Sequence, residues 1–243
     1  MRQEYDKYVA EDHEVWSILY NRMMEILPTY STEAYIEGIN QVGFEADRIP
    51  NFEECNAKLT KITGWSIYVV PGLIDNKPFF EHLSNREFPS STWLRKKSQL
   101  EYLEEPDMFH DIFGHVPLLA NVHFANFLSK LAGIALKHIE NEWAIELISR
   151  LYWYTVEFGL IRENGKLKVY GAGILSSSGE TVYSIDSDIP KRYPYNIEQL
   201  FATPYIKDKF QEQYFVIDSY EQLYNSLPEI EATLEKALKT IEA

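Results

Sequence analysis

The chain has 243 residues, 45% hydrophobic and 14% aromatic, with 23 Lys+Arg against 37 Asp+Glu for a formal charge of −14. That composition excludes a disordered or low-complexity chain and supports a packed core of one large domain. The anionic excess argues against a nucleic acid or an anionic membrane as partner, and no window approaches eighteen uninterrupted apolar residues.

A single cysteine, Cys55, rules out an intramolecular disulfide and points to a reducing compartment, the cytoplasm. No repeat or Gly/Ser linker divides the chain, so residues 1–243 are expected to form a single domain.

Residues 11 to 27 predict a helix with Trp16, Leu19, Tyr20, Met23, Ile26 and Leu27 on one stripe, stopped by Pro28. A second helix is expected over 32 to 42, opened by Ser31 or Thr32. In NFEECNAKLTKITG, Asn51 is placed to cap and Glu54 to complete a capping box; Phe52, Cys55, Leu59 and Ile62 recur at helical spacing, and Gly64 supplies the stop. WSIYVVPG reads as a short buried strand, PFFEHLSNREF as a helix and STWLR as a brief extended piece.

Pro106 suits the first turn of a helix from Asp107 to Phe113 that Gly114 ends. HFANFLSKLAGIALKH continues as a buried helix, and Glu142 to Phe158 is long and apolar on most faces, hence the central helix. Asn164-Gly165 predicts a type I′ hairpin turn. GAGILSSSGETVYSI reads as loop and strand, RYPYN as irregular, YFVID as a strand and the last sixteen residues as a helix. The fold class is therefore mainly α with a few short β-strands, an α+β chain.

The stretch EEPDMFHDIFGHVPLL places His110 and His115 five residues apart, and LYWYTVEFGL sets Glu157 in an apolar and aromatic run. Two neutral imidazoles and one carboxylate are the ligand set of a mononuclear metal centre with open positions. Residues at i and i+5 stand about 140° apart on a regular helix, so the pair needs a helix break, which Gly114 is expected to supply. Glu157 is the member hardest to explain otherwise, because an unpaired buried charge costs several kcal/mol. Zinc with the same ligands, in a hydrolase or in a non-catalytic metal-stabilised protein, is an alternative on residue types alone.

EPDMFHDIFGHVPLL, LYWYTVEFGL and YGAGILSSSGE, with PGLIDNKPFFEHLSNREF and the Arg95 that follows, resemble the pterin-dependent aromatic amino acid hydroxylases in order and spacing, over roughly Tyr30 to Tyr220. The resemblance implies the aromatic amino acid hydroxylase catalytic-domain fold. It also implies Fe(II) on His110, His115 and Glu157, tetrahydrobiopterin or a related tetrahydropterin as cofactor, and O2 and an aromatic amino acid as substrates. L-phenylalanine converted to L-tyrosine is the leading expectation; tyrosine, tryptophan or another ring position is the alternative. Trp153 speaks against a tryptophan hydroxylase, where phenylalanine is usual at this position.

By the same resemblance Arg95 clamps the substrate carboxylate, although residue type alone would make it a surface arginine of the RKK cluster. Trp153 meets the substrate ring, Ser176 lies close to the substrate carboxylate and supports an iron-ligand histidine, and Tyr102, Pro106 and Phe158 line the substrate pocket. Phe79, otherwise a core residue, stacks on the pterin. Gly72, Leu73 and Ile74 bond the pterin's polar edge through their backbone, and Asp111 faces the pterin. Leu103 stands where animal members carry threonine, so contacts to the substrate's amino group must come from elsewhere. The similarity to short bacterial members predicts a monomer without regulatory or tetramerisation domains.

Overall fold

The computed structural model describes residues 1–100 and 105–241. Helix α1 (Ala10–Tyr30) buries Val15, Trp16, Leu19, Met23 and Leu27 at helical spacing. It runs through Pro28 rather than stopping there, because a proline φ is helical and the helix ends only two residues later. Ser31 closes it with both its amide and its hydroxyl on the Leu27 carbonyl.

Thr32 caps α2 (Glu33–Val42) by accepting from the Tyr35 amide, and Gly43 ends it in the left-handed region at φ 77°. A Cβ on Gly38 would lie 2.1 Å from the Pro117 carbonyl oxygen, so this glycine lets α2 seat against the segment that follows His115.

Asn51 caps α3 (Phe52–Ile62) from the amides of Glu53 and Glu54. The reciprocal half of the box is replaced by an ion pair, for the Glu54 carboxylate lies 3.0 Å from Arg48. Phe52, Cys55 and Leu59 are buried, whereas Ile62 is 41% exposed and leaves the stripe one turn early.

Strand β1 (Ser66–Val69) pairs in parallel with β2 (Glu87–Ser90), and α4 (Asn76–Ser84) crosses between them. The helix ends before 85–88, and 91–95 is irregular; the extended element sits at EFPS instead. Arg86, at φ 62°, turns the chain out of α4, and Pro89 is tolerated because a two-stranded sheet leaves each strand an unpaired edge.

After the segment that carries the histidines, α5 (Val122–Lys137) and α6 (Glu142–Tyr152) supply much of the core. A four-stranded sheet follows in the order β4-β3-β6-β5. Its hairpin joins β3 (Leu160–Glu163) to β4 (Lys166–Val169) through Asn164 and Gly165, both at positive φ as the Asn-Gly turn requires.

The stretch read as loop and strand is instead two helices, α7 (Ala172–Leu175) and α8 (Ser178–Asp186). Ser177 acts as an N-cap, accepting from the Glu180 amide, so the serine run punctuates helices rather than a loop. RYPYN is likewise more regular than expected, since β5 (Lys191–Pro194) pairs in parallel with β6 (Gln213–Ile217). Between them lies α9 (Ile197–Ala202), and α10 (Tyr220–Asn225) and α11 (Leu227–Ile241) close the chain. One cluster of buried side chains runs from Val15 to Leu234. No described helix is long and apolar enough to cross a membrane.

Candidate metal centre and its cleft

Phe109–His115 is a π-helical segment, so its backbone hydrogen bonds join residues five apart. That geometry, and not a break at Gly114, brings the two histidines together: in a turn closed at i+5, His110 and His115 become neighbours on one face. Their Nε2 atoms lie 3.3 Å apart and the rings cross at 87°. Gly114 has a different task. A Cβ there would meet the Ala172 carbonyl oxygen at 2.9 Å and Ala172 Cβ at 3.2 Å, so the missing side chain lets the π-helical segment press against α7.

A second π-helical turn, Trp153–Glu157, continues α6, with the Phe158 amide donating to the Trp153 carbonyl at 2.8 Å. It carries Glu157 to the histidines: Oε1 lies 3.1 Å from His115 Nε2, and Oε2 lies 3.6 Å from His110 Nε2. Among the described residues this is the one group of three or more His, Cys, Asp or Glu side chains whose ligand atoms converge, all within 4.8 Å.

The donors suit a cation. Ser176 Oγ donates to the Ala172 carbonyl at 2.8 Å and is therefore free to accept from His110 Nδ1 at 2.9 Å. That contact puts the ring proton on Nδ1 and leaves the Nε2 lone pair aimed at the centre. Burial, partly opposed by Glu157, lowers the His110 pKa to about 4, so the ring is neutral and a ligand at neutral pH. Burial would raise the Glu157 pKa, but His115 and His110 outweigh it and keep the carboxyl below its ordinary value. The His110 lone pair and the Glu157 carboxylate therefore converge with His115 Nε2 across a gap of ligand-ligand size, and a divalent metal suits that arrangement. Replacing Ser176 with alanine is expected to weaken metal binding about 10–100-fold with little change in melting temperature, as titration with cobalt(II) would show. Unchanged affinity would remove Ser176 from the support of His110.

A cleft of about 210 Å³ opens beside the triad, which lines it together with Gly72, Leu73, Ile74, Phe79, Pro106 and Asp111. All five residues expected to hold the pterin thus face one space. Asp111 accepts from the Ser91 amide at 2.9 Å, and burial raises its pKa to about 7.

Among the described residues, Arg95, Trp153, Phe158 and Ser176 fall outside that lining. Arg95 is engaged by Asp107, with Nε and Nη2 each 2.9 Å from a different carboxylate oxygen. Trp153 packs at 4.7 Å from Phe158 and 4.6 Å from Tyr205. Tyr102 and Leu103 lie outside the described residues.

Sequence reasoning missed Asp107, Phe88 and Tyr152 among the residues of the site. Asp107 holds Arg95 and also accepts from the His110 amide at 3.2 Å. Phe88, on the unforeseen strand β2, lies 4.6 Å from the His115 ring and lines the cleft. Tyr152 lines it too, its hydroxyl held protonated by burial and by the Glu157 and Asp111 charges. Tyr152 and Glu157 repeat the five-residue spacing of the histidines, which was the available signal.

Fold and site together define a protein with a mononuclear metal centre beside an aromatic-walled cleft. The chain belongs to the biopterin-dependent aromatic amino acid hydroxylase family, whose model matches residues 4–241. It is 45% identical over 241 residues to phenylalanine-4-hydroxylase of Ralstonia nicotianae, covering 99% of this chain and 77% of that protein. It is 47% identical over 226 residues to phenylalanine-4-hydroxylase of Chromobacterium violaceum, covering 92% and 75%. The crystal structure of the Chromobacterium violaceum phenylalanine hydroxylase with bound oxidised Fe(III) superposes with a TM-score of 0.94 at 46% identity, covering 98% of this chain and 86% of that one. The fold is that of the family's catalytic domain.

Proposed function

We propose that this protein hydroxylates L-phenylalanine to L-tyrosine, using iron(II), a tetrahydropterin and O2. The observation that carries the reading is the convergence of His110, His115 and Glu157 on the wall of a cleft that also holds Phe79 and the Gly72–Ile74 loop. Phenylalanine as the substrate is supported by the two bacterial relatives of that activity, at 45% and 47% identity.

When bound, the tetrahydropterin would supply two electrons and iron would activate O2, one oxygen atom of which enters the ring while the other is reduced with the pterin's electrons. The chain's own residues position the reactants. His110 is held by Ser176 with its Nε2 lone pair inward, and Glu157 neutralises part of the metal's charge. Phe79 offers a ring face to the pterin, Gly72, Leu73 and Ile74 offer backbone polar groups, and Asp111 supplies a polar contact beside His110. Arg95, fixed by Asp107, receives the substrate carboxylate through the part of its guanidinium that Asp107 does not use. Trp153 and Phe158 receive the aromatic ring. Pro106, which lines the cleft, and Tyr102 complete the substrate side.

The chain is read as a single catalytic unit, residues 1–243, working as a monomer in the cytoplasm. Its core is continuous from Val15 to Leu234, and its one cysteine is buried, with a thiol that burial pushes up to about 11. A dimer mass in sedimentation would overturn the monomer.

The deciding assay incubates the iron(II) protein with tetrahydropterin, O2 and each aromatic amino acid in turn. Tyrosine as the dominant product from phenylalanine is expected. Another product would overturn the substrate assignment, and turnover of a hydrolysable substrate without O2 or pterin would replace the reading with a zinc hydrolase.

A further inference from the structure

Trp153 sits in a seat built from three directions. Its ring stacks on Tyr205 at 4.6 Å and 21°, and lies against Phe158 at 4.7 Å and 34°. Stacking fixes the plane of an indole but leaves it free to slide and rotate within that plane. The third contact removes this freedom: Trp153 Nε1 donates to Gln211 Oε1 at 3.0 Å.

Gln211 is itself over-determined. Its side chain is 2% exposed, and its Nε2 donates to the Ile206 carbonyl at 2.9 Å and the Lys209 carbonyl at 3.5 Å. With two acceptors on one side and an N–H donor on the other, the amide has only one orientation that satisfies all of them. Its backbone amide donates to Glu180 Oε1 at 3.0 Å, and the same oxygen accepts from the Tyr214 hydroxyl at 2.8 Å. Glu180 lies in the first turn of α8, three residues after the Ser177 cap and four after Ser176, which holds His110. One short stretch thus anchors a metal-ligand histidine at one end and, through Gln211, the indole at the other.

We propose that Gln211 is a specificity-positioning residue: by accepting the indole N–H it sets the angle of Trp153, and so the depth and width of the space for the substrate's aromatic ring. The proposal rests on the reading above that Trp153 meets that ring. Gln211 touches no reacting atom and acts only through Trp153. Its loss should therefore move substrate affinity and selectivity more than the turnover rate.

The test begins by confirming tyrosine formation by the unaltered protein; failure there overturns the functional reading and this proposal with it. In an active background Gln211→Met, similar in volume but without the acceptor, is expected to raise KM for phenylalanine about tenfold while kcat stays within about twofold, the loss of one buried hydrogen bond. The preference for phenylalanine over tryptophan in kcat/KM should fall by a similar factor. In a Trp153→Phe background, which lacks the N–H, the same change should alter KM less than about twofold. A tenfold rise that persists in that background would give Gln211 a purely structural part, and a KM that Gln211→Met leaves unchanged would overturn the proposal outright. If Gln211→Met fails to fold, site-specific replacement of Trp153 by 3-benzothienylalanine deletes the donor while keeping the ring and Gln211. An unchanged KM there overturns the proposal, and a tenfold rise supports it.

Discussion

Replacing Glu157 with glutamine is expected to abolish turnover to within about a thousandth of the original rate, because the several kcal/mol contributed by a bound Lewis acid are lost together. The amide is nearly isosteric but uncharged, so the centre keeps two imidazoles and loses its only anion. Iron retained after desalting should fall in step with activity, while the melting temperature of the metal-free protein stays close to the original. Metal analysis and an aerobic tyrosine assay on one preparation check both. Full iron content with full turnover would remove Glu157 from the centre.

The second large effect lies one step behind the triad. Asp107 is fully buried; burial would raise its pKa, but its bonds to Arg95 outweigh that and hold the carboxyl below 3.8. Asp107→Asn is expected to cost about 3–5 kcal/mol, the typical loss when one partner of a buried pair is removed and the other stays charged. For a chain of this size that is a fall of about 10 °C in melting temperature. The sign with pH follows from the depressed carboxyl: the pair's stabilisation is complete above the unfolded value near 3.8 and is lost as pH falls below it. The gap between original and variant should therefore be full at neutral pH and shrink in acid; a constant gap would assign the loss to packing rather than charge.

Arg95→Lys, which keeps the charge but not the fork, should raise KM for phenylalanine about tenfold. An unchanged KM would place the substrate carboxylate elsewhere.

The local elements were largely legible because their signals are local. Asn51 and Thr32 cap the helices that follow them, Asn164-Gly165 makes the positive-φ turn it predicts, and the apolar stripe of α1 faces the core. Pro28, expected to stop α1, is accommodated near the helix end, and the serines of 176–178, in a stretch expected to be loop and strand, lead into another helix.

Residue types alone pointed to a metal centre with iron or zinc as the alternatives, and the order and spacing of the motifs pointed to the family. Two histidines and a carboxylate in those surroundings name a mononuclear metal centre, and the chain carries them whatever path it takes. Only the tertiary structure decided how they meet. The i+5 spacing is wrong for an α-helix and right for the π-turn that Phe109–His115 forms, and the missing side chain of Gly114 lets that turn press against Ala172. Long-range contact likewise placed Asp107 on Arg95, Ser176 on His110 and Gln211 on Trp153, pairs 12, 66 and 58 residues apart. Hydrogen bonds between side chains that distant leave no periodicity in a sequence, because they depend on where whole elements dock.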